Sequence, residues 1–117
     1  MTVGLVGFGG KFAAVRPMEE HGLSVRVVSS VERMKECDVL LFAPQAGPRA
    51  GGLLRSLAGE PVLTMGAMPG FARMGGMVEL PDPGAGRRLT VNLGATRRSG
   101  FRVHPGLMGA ADFLRRE

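Results

Sequence analysis

Pro61-Val62-Leu63-Thr64-Met65, Pro69-Gly70-Phe71-Ala72-Arg73-Met74-Gly75-Gly76-Met77-Val78-Glu79-Leu80 and Leu89-Thr90-Val91-Asn92-Leu93 decide how this chain folds. They read as three short strands joined by glycine-rich turns and followed by a polar-capped helix. Val62 to Met65 is a strand, and Gly75-Gly76 opens a second one that runs to Leu80. Pro81-Asp82-Pro83-Gly84-Ala85-Gly86 makes a turn, and Arg87 to Leu93 returns. That return is a hairpin, so these last two strands pair antiparallel.

Upstream the pattern is different. Thr2 to Val6, Leu23 to Val28 and Val39 to Phe42 are short apolar runs suited to buried strands. Lys11 to His21 has helical spacing at Phe12, Val15 and Met18, with Pro17 interrupting it and Gly22 stopping it. Ser30 to Glu36 is a short helix with Ser30 as N-cap. Pro48 to Ala58 places Leu53, Leu54 and Leu57 on one helical face before the turn at Gly59-Glu60-Pro61. Three strand-helix units in succession predict a parallel sheet with right-handed crossovers. Downstream, Gly94 to Ser99 forms one or two helical turns that Gly100 stops. Pro105 stands near the start of a final helix carrying Leu107, Met108, Ala111 and Leu114. The expected fold is α/β: three layers, a mostly parallel sheet flanked by helices, and a C-terminal hairpin that makes the sheet mixed. A single domain over residues 1–117 is expected, since the length holds one core and no second domain.

Composition narrows the function. Hydrophobic residues make up 44% of the chain, enough for a packed core. The formal net charge is +5, but thirteen of the fifteen basic residues are arginines spread along the chain, and there is no Trp or Tyr. Stacking platforms for single-stranded nucleic acid are therefore lacking, and nucleic acid is not an expected partner. The lone Cys37 forms neither an internal disulfide nor a CxxC pair. No apolar run has the length of a membrane span, and no secretory leader precedes the first strand. His21 and His104 have no partners at metal-ligand spacing, and none of the serines sits in a GxSxG elbow. No metal, cofactor or catalytic residue is expected.

Val3-Gly4-Leu5-Val6-Gly7-Phe8-Gly9-Gly10 invites a dinucleotide-binding reading. Gly7 and Gly9 fill the first two places of a GxGxxG turn, but the third falls on Phe12, where closeness is required. Ser29-Ser30 and Arg33 follow the second strand where an acidic residue would hold a ribose; that excludes the NAD pattern and tolerates a 2′-phosphate. A small NADP-binding fragment using Gly7, Gly9 and Arg33 therefore stays open as an alternative. The favoured reading gives these glycines a backbone role. Lys11 is followed by Phe12 and lies outside any GxxxxGK[ST] pattern, which excludes a phosphate-binding loop of that kind.

The ordered set Cys37-Asp38-Val39-Leu40-Leu41-Phe42, Pro61-Val62-Leu63-Thr64, Gly70-Phe71-Ala72 with Gly75-Gly76-Met77-Val78, and Val91-Asn92-Leu93-Gly94-Ala95-Thr96-Arg97-Arg98-Ser99-Gly100-Phe101 resembles the YfiR-like family of periplasmic regulators. His104 to Ala111 is similar to the family's last segment, and Val3 to Gly7 to its first strand. The resemblance implies a noncatalytic protein that represses a membrane-bound diguanylate cyclase by binding its sensor domain, and so controls cyclic-di-GMP. It also implies a periplasmic location, with a cytoplasmic one expected if Met1 is the native start. Family members usually carry a leader, a first helix and paired cysteines. A truncated copy that binds nothing is therefore a third reading, and Cys37 is expected to be a small buried hydrophobe. Partner-binding candidates are Phe71, Gly75, Gly76, Arg97 and Arg98. Phe71 either plugs the core, the favoured role, or presents its ring to the partner. Gly75-Gly76 supplies positive φ or a close backbone approach, and Asn92 caps the following turn. The methionines Met65, Met68, Met74 and Met77 are core filler or a partner-facing rim, and an uncovered sheet face would favour a homodimer.

Overall fold

The computed structural model describes residues 1–7, 22–81, 88–104 and 111–114. The strands are β1 (Thr2–Val6), β2 (Ser24–Val27), β3 (Val39–Phe42), β4 (Leu63–Gly66), β5 (Val78–Glu79), β6 (Leu89–Asn92) and β7 (Ala111–Leu114). The helices are α1 (Val31–Met34), α2 (Gly47–Leu57), preceded by a 3₁₀ turn at Pro44–Ala46, and α3 (Leu93–Arg98). The strands form one sheet in the order β2-β1-β3-β4-β5-β6-β7. Every ladder is parallel except β5 with β6, where Val78 faces Val91 and Glu79 faces Thr90. The α/β class, the mostly parallel sheet and the hairpin that makes it mixed are therefore as the sequence predicts. The expected helix over Lys11 to His21 and the turn over residues 82–86 lie outside the described residues.

Side-chain alternation sorts the core onto the two faces of the sheet. On β3, Leu40 and Phe42 join Val6, Met34, Ala46, Ala50, Leu54 and Leu57 on the face that carries α1 and α2. Val39 and Leu41 pack with Val3, Leu5 and Val25 on the other face. Ser30 caps α1 by accepting a hydrogen bond from the Arg33 N–H at 3.3 Å.

The connection from β4 to β5 positions everything that follows. A parallel crossover usually needs a dozen or more residues and a helix to cover the sheet; here only Ala67 to Met77 join two parallel strands. A single aromatic ring does the covering. Phe71 is 0% exposed and packs on Phe42 with centroids 5.2 Å apart and planes tilted by 52°. Its ring fills the space where a side chain would stand on Gly66 of β4, a Cβ there lying 2.7 Å from Phe71 Cδ1. On its other side it presses still closer on Gly76. The two glycines of the pair thus divide the expected roles: Gly75 turns the chain at φ +113°, and Gly76 lets the ring approach. The close approach is to Phe71.

One expectation is corrected. Ala111 and Leu114 belong to β7, not to a final helix, with Leu89 facing Ala111 and Asn92 facing Leu114 in parallel register. The residues of β7 have no strong strand preference, but β6 would otherwise leave one row of backbone groups unpaired, and pairing outweighs local propensity. Arg88 Nη2 reinforces the join by donating to the Ala111 carbonyl at 3.0 Å.

Removing the ring should be costly: Phe71→Ala is expected to lose about 3 to 5 kcal/mol of unfolding free energy in urea titrations. Gly76→Ala, which keeps the ring but crowds it, is expected to lose about 1 to 3 kcal/mol.

Candidate functional site

The turn around Phe71 is fixed by three side chains from three different strands. Thr64 Oγ1 of β4 accepts from the Met77 N–H at 3.0 Å, and Glu79 Oε1 of β5 accepts from the Ala72 N–H at 2.9 Å. Asn92, at the end of β6 and 1% exposed, holds both directions at once. Its Nδ2 donates to the Ala72 carbonyl at 2.7 Å while its Oδ1 accepts from the Ala95 N–H at 3.0 Å, capping α3. Its backbone N–H donates to the Met77 carbonyl at 2.9 Å, and its carbonyl accepts from Thr96 Oγ1 at 2.7 Å. One amide side chain thus couples the turn, the strand and the helix. Each of these polar groups is buried or half-buried, so losing a partner would leave a desolvated group unpaired.

Against this braced turn lies a groove of about 310 Å³ between the C-terminal half of α2 and the short helix α3. Leu54, Leu57, Met74, Met77 and Ala95 supply apolar surface, and Arg55, Arg73 and Arg98 supply charge. Among the described residues that line it there is no Asp or Glu. Arg55, Arg73 and Arg98 are all exposed, so the basic groups stand at the solvent side of the apolar surface.

The sequence candidates separate in the structure. Gly75 and Arg98 line the groove together. Gly76 is buried beneath it, and Arg97 is exposed on α3 but outside the lining. Phe71 is the plug, and the alternative of presenting its ring to a partner is corrected: the ring is enclosed by Gly66, Gly76 and Phe42. Sequence reasoning did not single out Arg55 or Arg73. They come from a helix and a loop, and no local spacing joins them. Of the methionines, Met77 is buried and Met74 half-buried at the groove.

The residues behind the dinucleotide alternative are also placed. Gly7 has φ +81°, and a Cβ there would lie 2.8 Å from the Ala46 Cβ, so the 3₁₀ turn before α2 already demands glycine. Gly9 lies outside the described residues. Arg33 meets Ser29, Ser30 and Arg26 in a second cavity of about 310 Å³, which also holds Glu36 and Cys37. Cys37 is 5% exposed, and its Sγ donates to the Arg33 carbonyl at 3.5 Å. Burial pushes its thiol above the usual value, with Asp38 and Glu36 acting in the same direction and Arg26 opposing them.

A model of the family described as DUF4154, YfiR/HmsC-like, matches residues 8–112, most of the chain. No curated protein matches the sequence. No helix among the described residues is long and apolar enough to cross a membrane.

Two outcomes follow from this geometry. Asn92→Ala should cost about 2 to 4 kcal/mol, combining a lost cap with an orphaned Ala72 carbonyl, as read from urea unfolding. Asn92→Asp keeps the cap acceptor but sets a buried carboxylate against that carbonyl. Its folded-state pKa is then raised, so the variant's stability is greatest below the ordinary carboxylate range and falls as pH rises through the raised value. The native Cys37 thiol should react with iodoacetamide at least about tenfold more slowly than in urea-unfolded protein at the same pH, because a buried thiol with a raised pKa presents little thiolate.

Proposed function

The chain belongs to the YfiR/HmsC-like family, and on that premise we propose that it is a noncatalytic regulator that binds a protein partner. The partner is the periplasmic sensor domain of a membrane-bound diguanylate cyclase. Binding holds that sensor in its inactive state, and release permits cyclic-di-GMP synthesis. The observation that carries this reading is the family match from residue 8 to residue 112. The groove supports it, because methionine and arginine, both present in its lining, are enriched at protein interfaces.

The buried network around Asn92 serves the same end. A wall already locked by Thr64, Glu79 and Asn92 loses little conformational entropy when a partner arrives. Gly75 and Arg98 contribute at the surface, Phe71 and Gly76 support from below, and Arg97 extends the basic surface along α3. The action takes place in the periplasm, where the sensor domain lies.

Calorimetric titration of the purified protein with the sensor domain of its host's membrane-bound diguanylate cyclase tests this, together with cellular cyclic-di-GMP measured with and without the exported protein. Saturable binding and lowered cyclic-di-GMP are expected. Absence of binding with unchanged cyclic-di-GMP would remove the regulator reading.

A further inference from the structure

Among the described residues, two buried hydroxyl groups in the groove lining have no acceptor for their protons. Ser99 is 7% exposed; its backbone N–H donates to the Ala95 carbonyl at 3.3 Å, but its Oγ has no partner among the described residues. No side-chain oxygen or nitrogen sealed from solvent lacks a partner there, so the Ser99 Oγ reaches the opening that Ser99 lines. Thr64, 3% exposed and in the same lining, accepts from the Met77 N–H through Oγ1 but donates to no described residue. A hydroxyl withdrawn from water in this way keeps an unsatisfied proton until an acceptor is brought to it.

The mouth of the groove adds charged donors. Arg55 and Arg73 are exposed, and neither guanidinium has a carboxylate or any other hydrogen-bond partner among the described residues. The Arg55 Nη1 and Nη2 rest 3.8 and 3.9 Å from where side chains would begin on Gly51 and Gly52, a stretch of α2 with nothing to pair with them. A cation in the last turn of α2 complements that helix end, which accounts for Arg55; Arg73 comes from the 70–77 turn, where no helix end calls for it. Arg98 also lines the groove but is engaged by an interaction of its own. No Asp or Glu stands among the described residues of the lining. Hydroxyl donors inside and guanidinium donors at the opening thus border one cavity of about 310 Å³, at the small end of the range for small-molecule sites.

We propose that this groove binds a small molecule through an oxyanion head, a carboxylate or a phosphate monoester, which accepts from the Ser99 and Thr64 hydroxyls and pairs with Arg55 and Arg73. An ionised oxyanion offers acceptors only, and hydroxyl and guanidinium groups match it with donors, the charged ones being the stronger. A neutral amide of the same shape would bring its own N–H groups against these donors, and an ammonium would meet two like charges. The site stands on the groove's own donors; it goes beyond the regulator reading and does not rest on it.

The test follows amide chemical shifts of the purified protein by NMR in titrations with pentanoate, butyl phosphate, pentanamide and pentylammonium at matched ionic strength. One or both anions should bind saturably, shift the Gly75, Met77 and Ser99 amides, and lose affinity when salt is raised; the amide and the ammonium should not bind. Comparing pentanoate with butyl phosphate tells which head the site takes. Arg55→Gln/Arg73→Gln should weaken anion binding by about tenfold or more and Ser99→Ala by about threefold or more, while Arg49→Gln, exposed on α2 but outside the lining, should leave it unchanged. Melting temperature supplies a readout that a structural role would move. With no partner to lose, Ser99→Ala should melt at the unaltered protein's temperature or above it; a clear fall would show that the hydroxyl holds the fold and would overturn the proposal. No saturable binding of either anion, equal binding of pentanamide, shifts confined to residues away from the groove, or full affinity in either folded variant would overturn it as well.

Discussion

The Phe71 ring lies in a slot whose sides are Gly66 and Gly76 and whose base is Phe42, and the arrangement of the second half of the chain follows from that seating. Eleven residues, 67–77, carry the chain from one parallel strand to the next, too few for a full covering helix. The ring supplies the missing apolar cover, and it does so only because Gly66, the last residue of β4, and Gly76, just ahead of β5, lack side chains. With the ring in place, the turn brings Ala72 and Met77 within reach of Glu79, Thr64 and Asn92. Packing and hydrogen bonding reinforce each other here: the ring excludes water from the turn, and the desolvated amides then depend on those three side chains.

Function enters through what this construction leaves at the surface. The residues that make the turn rigid face inward, and Arg73, Met74 and Gly75 face the groove. The most distinctive sequence signals, Phe71 and Asn92, therefore act one layer beneath the surface a partner would meet. Part of the net charge of +5 is gathered in one place: Arg55, Arg73 and Arg98 line a single groove, with no Asp or Glu among the described residues that line it. By contrast, the Arg88–Asp112 pair, at 3.9 Å and well exposed, adds little to stability.

Much of the fold was legible because local and global preferences agree. Val39–Phe42 is apolar enough to be a central strand, Ser30 and Asn92 announce the helices they cap, and the return after Pro81 pairs antiparallel as its turn residues imply. Ala111–Leu114 was misread because its strand state is imposed by the open edge of β6, a partner 22 residues earlier in the chain. The role of Gly76 was half legible: a glycine pair signals close approach, but the approaching group is a ring five residues earlier. The groove was the least legible part. Its walls come from α2, β4, the 70–77 turn and α3; Gly75 and Arg98 stood out in advance as partner-binding candidates and Met74 and Met77 as core filler or rim, but nothing joined them to Arg55 or Arg73.

The central claim is that the 70–77 turn is part of the core and opens only when the core does. Native-state hydrogen exchange of the Ala72, Gly76 and Met77 amides measures this directly. The account predicts that all three exchange with the free energy of global unfolding, matching the Leu40 and Leu41 amides of β3. Exchange of those turn amides through a local opening far cheaper than that of β3 would contradict it.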